Sequence, residues 1–260
     1  MLLRKDEDGV VAIPQPSHAW LSGQLARAWG NPLFDAPSPR EEVCLAAEQH
    51  DIGWLSWEMR PELDCETGLP REFFRIPPKK HTALWREGVR RARAFGRYPA
   101  LLVSLHAKTI YERHFDSAKA KPEDINAVRA FLAGQRRFQA RIIKSLREDP
   151  QTCEHASPEA IENNRLLIAA LDKLSLDICG GVTAAAKIAE VPSRNGERIA
   201  LRLFPHKDAL TLEPWPLTAR QVAVQAEGKR LCGRFSAHGE LLRALANAKP
   251  VLLTAVLRRA

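Results

Sequence analysis

Apolar residues recur every third or fourth position through most of residues 16–180, and this spacing predicts helices. The first predicted helix covers 18–29, capped by Ser17 and stopped by Gly30-Asn31-Pro32. Ser38-Pro39-Arg40-Glu41 reads as a capping box with proline at the first helical position. The helix it opens carries Val43, Ala46, Ala47 and His50 on one side and ends near Gly53. A loop through Pro61, Gly68, Pro70 and Pro77-Pro78 follows, then helices over about 81–96, 99–114, 122–148 and 158–179. Past residue 190 the texture shortens to strands over 198–204, 209–213, 220–225 and 251–257, with a helix over 238–248 before the last. The expectation is a mainly α fold. A helical domain would cover 1–190 and a small, mostly antiparallel α+β module 191–260, joined through Pro192-Ser193-Arg194-Asn195-Gly196. The module holds no chemical motif, so packing, homodimerisation or a lid are the roles expected of it.

Composition changes this picture little. With 45% hydrophobic and 27% charged residues the chain reads as a soluble globular protein, and no apolar run is long enough to span a bilayer. The five cysteines are widely spaced without a Cys-x-x-Cys pair, so neither a disulfide framework nor a zinc knuckle is expected. The N-terminal residues lack the apolar stretch of a signal peptide, and a cytoplasmic location is the expectation. The net charge of +8 favours acidic ligands, phosphates among them. A basic cluster at Arg136, Arg137, Arg141, Lys144 and Arg147 lacks interleaved aromatics apart from Phe138, so nucleic acid is not the expected partner.

The candidate chemistry centres on His50-Asp51. An imidazole and a carboxylate on adjacent residues can ligate one divalent ion, or the carboxylate can bridge two. Alone the dipeptide says little, and its context decides. His18 opens one helix and His50-Asp51 ends the next, so two antiparallel helices would bring them together. On the last long helix, Asp172 and Asp177 are separated by about 140° around the axis, so only one can face a given site. Asp172 shares its face with Ile161, Ile168, Leu176 and Cys179, whereas Asp177 can pair with Lys173. An aspartate on an apolar face is costly unless paired or metal-bound, which makes Asp172 the candidate ligand. His106, beside Leu102, Thr109 and Ile110, and His81, at the start of its helix, are the additions that would extend one metal site to two.

The order His18, His50-Asp51, Asp172 resembles the HD-domain superfamily of metal-dependent phosphohydrolases. A closer resemblance is to an uncharacterised bacterial family with an HD-like helical part. It is carried by Gln15-Pro16-Ser17-His18, Ala47-Glu48-Gln49-His50-Asp51-Ile52-Gly53-Trp54, Ser104-Leu105-His106, Asp172-Lys173-Leu174-Ser175-Leu176 and Pro214-Trp215-Pro216. The resemblance implies an HD-like helical bundle and metal-ligand roles for His18, His50, Asp51 and Asp172, with His81 and His106 as weaker matches. Trp54 stands where the cyclic-dinucleotide phosphodiesterases have lysine, and their Gly-Tyr-Pro motif is missing, so that activity is not expected.

The function expected is hydrolysis of a phosphorylated small molecule, a nucleotide among the options, with one or two iron, manganese or zinc ions. Asp51 would hold the metal at the reacting centre, and Glu48, one turn earlier, would orient it. Arg86, Arg90 and Arg93 form a stripe on the helix that begins near His81 and are the expected phosphate clamp. Two rival expectations stand beside this one: a di-iron oxygenase using all six ligands, and a non-catalytic metal-containing sensor.

Overall fold

The computed structural model describes residues 1–259. In chain order its elements are β1 (Leu2–Asp6), β2 (Gly9–Ile13), α1 (Gln15–Ala28), α2 (Arg40–Gln49), a 3-10 turn at Ile52–Trp54, α3 (Leu55–Glu58), β3 (Leu63–Asp64) and β4 (Leu69–Pro70). There follow α4 (Pro78–Ala92), α5 (Arg97–His114), α6 (Pro122–Arg147), α7 (Pro158–Gly180), β5 (Ala186–Pro192), β6 (Arg198–Pro205), β7 (Leu210–Glu213), β8 (Gln221–Leu231), α8 (His238–Asn247) and β9 (Pro250–Arg258). Every predicted helix is present within a few residues of its expected bounds. The cap at Ser38 is not: Pro39 itself is the N-cap of α2, and the Ser38–Pro39 peptide is cis.

The main correction concerns the sheet. Seven strands form one mixed sheet in the order β1-β2-β8-β9-β7-β6-β5, in which only β7 and β9 run parallel. This is neither an all-α chain nor a helical bundle with a small appended module. The N-terminal hairpin β1–β2 joins the sheet through Val10, Val11 and Ala12 opposite Leu231, Arg230 and Lys229. Strands from both ends of the chain therefore share one layer, and residue 190 lies within β5. Local periodicity cannot register a pairing across more than two hundred residues.

Helices pack on this sheet through one continuous core. It runs from Ile13 and Val224 on the sheet through Leu25 of α1, Ala46 of α2, Leu102 of α5 and Leu171 of α7, each essentially inaccessible. The seating of α1 has a specific cause. β2 covers β8 only at Lys229–Leu231, which leaves earlier backbone groups of β8 in need of partners. Gln24 supplies them by donating to the Gln225 carbonyl at 2.8 Å and accepting from its N–H at 2.9 Å, and Ser17 Oγ accepts from Glu227 N–H at 2.8 Å. Ser17 thus ties α1 to the sheet instead of capping a helix, and α1 begins earlier, at Gln15. His18 is held on the opposite, inward side. Among the described residues, all five cysteines are free and no helix is long and apolar enough to cross a membrane.

Candidate metal centre

Four helical segments deliver one side chain or pair each to a single interior point. His18 comes from the first turns of α1, His50 from the C-cap of α2 with Asp51 just beyond it, His106 from the middle of α5 and Asp172 from the middle of α7. Their relative exposures of 0, 0, 5, 1 and 8% for His18, His50, Asp51, His106 and Asp172 place two carboxylates in the interior beside three imidazoles and, among the described residues, no lysine or arginine salt-bridge partner. The groups His18, His50, Asp51 and His50, His106, Asp172 each bring their ligand atoms within 4.8 Å of one another.

Hydrogen bonding fixes which nitrogen each ring presents. His50 Nδ1 donates to the Ala47 carbonyl at 2.7 Å, the carbonyl freed where α2 ends. Its Nε2 therefore carries the lone pair, and it makes no hydrogen bond although Asp172 Oδ1 lies 3.3 Å away and Asp51 Oδ2 3.7 Å away. Ser175 Oγ donates to the Asp172 carbonyl at 2.8 Å and so accepts from His18 Nδ1 at 2.9 Å. The His18 Nε2 lone pair then faces Asp51 Oδ2 at 2.9 Å and Gln15 Oε1 at 3.0 Å. Acceptors facing acceptors in a buried site require a proton or a metal ion between them. The spacings suit an ion: donors about 2.1 Å from a common centre lie about 3.0 Å apart at right angles and about 3.4 Å apart in a tetrahedron. The donor chemistry, the holding of both Nδ1 atoms by Ser175 and Ala47, and the separations all fit a divalent metal.

The electrostatics agree. Burial works against the Asp51 carboxylate, yet His50 and His18 hold its pKa below the ordinary carboxylate value. Asp172 is likewise held well below that value, against its burial, chiefly by His50. Burial also opposes a charge on His50, but Asp51 and Asp172 outweigh it and raise its pKa to about 9. At His106 burial outweighs the attraction of Asp172 and Asp51 and lowers its pKa to about 4. A divalent ion among these groups would balance the two carboxylates, and the proton on His50 would leave as the ion binds.

The other expected site residues are placed differently. His81 donates from Nδ1 to Tyr111 Oη at 2.8 Å and accepts from Trp85 Nε1 at 3.1 Å, so both ring nitrogens are engaged within the wall. Glu48 is turned away and pairs with Arg27 at 2.5 Å. The helical register that would have aligned it with Asp51 ends at Gln49, and Asp51 lies in the following turn. Arg86 lies over the Phe131 ring at 5.7 Å, Arg90 pairs with Glu87 at 2.7 Å, and Arg93 is exposed beside Phe138. The arginine stripe lies on the solvent face of α4, as the burial of Trp85, Val89 and Ala92 on its other face requires.

A cavity of about 630 Å³ opens above the cluster. Buried Asp51, His106 and Asp172 form its floor, and Trp54, Phe73, Trp85 and Tyr111 its walls. The cations that line it are exposed and sit at its mouth: Arg113, Lys173 and Lys187. None was expected to serve the site: Lys187 lies on the unforeseen strand β5, Lys173 was read only as the partner of Asp177, and Arg113 sits on a helix surface. Gln15 and Ser175 were within recognised strings but had no assigned role. Their spacing of three residues from His18 and Asp172 puts each on the same helical face as its partner and is the signal that could have found them.

No curated protein and no solved structure matches the chain. The family described as protein of unknown function (DUF3891) matches residues 1–232, nearly nine-tenths of the sequence by length. None of these comparisons supports the resemblance to the HD-domain superfamily, and the chain belongs to the uncharacterised DUF3891 family.

Proposed function

We propose that the chain is a metal-dependent hydrolase of phosphate esters of small organic molecules, using one divalent ion held by His18, His50, Asp51 and Asp172 with His106 beside them. The observation that carries this reading is the convergence of two buried carboxylates and three buried imidazoles at the floor of a cavity with a cationic mouth. The order His, His-Asp, Asp on separate helices is also that of the HD-domain phosphohydrolases, and this resemblance supplies the reaction class. A di-iron oxygenase is less well supported. The two ligand groups share His50, whose Nδ1 is committed to Ala47, so it offers one lone pair and serves one ion. His81 would have to give up Trp85 or Tyr111 to serve a second.

A divalent ion of iron, manganese or zinc at this site would supply Lewis-acid polarisation of a phosphoryl oxygen and a bound water acidic enough to ionise near neutral pH. The chain's own residues do the rest. Asp51 and Asp172 bring the negative charge that holds the ion, while Ser175 and Ala47 keep the His18 and His50 lone pairs directed at it. Gln15 lines the cavity next to His18, and its Nε2 has no hydrogen-bond partner, so it offers a donor to a substrate or water oxygen at the floor. The aromatic walls limit bulk water, which strengthens every charge interaction inside. At the mouth, Lys187, Lys173 and Arg113 attract the anionic substrate.

The test is a panel of phosphate mono- and diesters assayed with manganese, zinc or ferrous iron. Turnover that falls at least a hundredfold in Asp51→Asn and Asp172→Asn is the expected result. A metal-loaded protein that hydrolyses no ester on the panel would overturn the reading in favour of a sensor, and metal-dependent oxygen consumption would favour the oxygenase.

A further inference from the structure

The walls and mouth of the cavity restrict the organic part of the ester, an inference that rests on the hydrolase reading above. The cavity's 630 Å³ falls in the range that encloses a drug-sized ligand and is too small for a polymer. Between floor and mouth its surface is mainly aromatic and aliphatic, with Trp54, Phe73, Phe74, Phe115 and Leu176, and the His81 ring and the Thr109 and Tyr111 hydroxyls among them are already hydrogen-bonded within the wall. A glycerol or sugar moiety would bring more hydroxyl groups against these walls than they can partner, at about 1–3 kcal/mol for each one left unpaired. An apolar ring meets no such cost and gains edge-to-face contacts.

The mouth adds a second requirement. Arg113 is matched by Glu190 at 2.8 Å and Lys173 by Asp177, but Lys187 has no carboxylate within 4.0 Å among the described residues. One exposed positive charge in the cavity lining thus remains without a carboxylate partner. The strand that carries it is specially shaped. β5 is an edge strand whose pairing with β6 slips between Ile188 and Val191, and Glu190 in that bulge has φ 56°. A left-handed glutamate is costly, and strain of this kind persists where the surrounding structure over-determines it. Lys187, Ile188 and Ala189, at and just before this bulge, line the cavity, while Glu190 within it anchors Arg113.

From these features we infer that the cavity takes a phosphate ester of an apolar ring-bearing alcohol with a second anionic group at its far end. The phosphate sits at the His/Asp floor, the ring lies between Trp54, Phe73, Tyr111 and Phe115, and the distal anion meets Lys187. Non-hydrolysable phosphonates test this on the metal-loaded protein by calorimetric titration: methylphosphonate, benzylphosphonate and 4-(phosphonomethyl)benzoate. Affinity is expected to rise about tenfold on adding the ring and again severalfold on adding the carboxylate. In Lys187→Ala the carboxylate should bring no gain. Equal affinities for the three ligands, tightest binding of methylphosphonate, no binding at all, or a carboxylate gain that persists in Lys187→Ala would overturn the inference. The readout is independent of turnover. The expected ranking with no ester hydrolysed overturns the hydrolase reading and leaves the ligand class standing, whereas ester hydrolysis with a flat ranking overturns the ligand class alone.

Discussion

At the residue scale, the site depends on where two imidazole protons are kept. Ser175 holds the His18 Nδ1 proton and the Ala47 carbonyl holds that of His50, so both Nε2 lone pairs face Asp51 and Asp172. Ser175→Ala removes an anchor without removing a ligand, and metal affinity should fall by about 10- to 100-fold, read by competition with a chromophoric chelator. The same geometry sets a pH dependence in the metal-free protein. The pKa of His50 rises on folding from 6.5 to about 9, so its protonation stabilises the fold fully below pH 6.5, and this contribution is lost as pH rises through 9. Metal-stripped protein should therefore lose thermal stability between pH 6.5 and 9, with a contribution on the order of a few kcal/mol at stake. Metal-loaded protein, in which the ion has displaced that proton, should not lose it, and a melting series with and without chelator distinguishes the two. The gathering of these side chains was legible in part: His50, His106 and Asp172 share apolar helical faces, and His18 and Asp51 follow from two antiparallel helices whose start and end meet. The engagement of His81 by Trp85 and Tyr111 was not, since one partner belongs to another helix.

At the element scale, Gly53 explains why the helix after His50-Asp51 can stop so close to α4. A Cβ there would lie 2.1 Å from the Leu84 carbonyl oxygen and 2.7 Å from the Gly88 nitrogen, so the 3-10 turn and α4 meet backbone to backbone. Trp54, the next residue, then reaches His81 with ring centroids 5.2 Å apart and becomes a cavity wall. Gly53→Ala should force α4 outward at a cost of about 1–3 kcal/mol, measurable by urea denaturation, and should weaken ligand binding at the aromatic wall. The helices were readable from sequence because each keeps an apolar stripe over several turns. The strands β1, β2 and β5 were not. The hairpin β1–β2 is short, with a charged two-residue loop at Glu7-Asp8, and the bulge in β5 interrupts the alternation by which a strand is recognised.

At the scale of the whole molecule, one core joins the sheet to α1, α2, α5 and α7, and residues of both halves of the chain contribute to it. Calorimetry of the metal-loaded protein should show a single transition whose van't Hoff and calorimetric enthalpies agree. Two transitions would indicate that 1–190 and 191–260 unfold as separate units. The pairing of β2 with β8 and of α1 with the open part of β8 is set by tertiary contact, which is why the fold class could not be read from local patterns. The central claim is that this architecture assembles one metal site from His18, His50, Asp51, His106 and Asp172. It is tested most directly by the metal content of purified protein together with anomalous scattering from its crystals. The account predicts about one divalent ion per chain, with its anomalous peak among these five side chains, and its loss in Asp51→Ala and Asp172→Ala. A protein that takes up no metal, or whose two variants bind as much as the wild type, would contradict it.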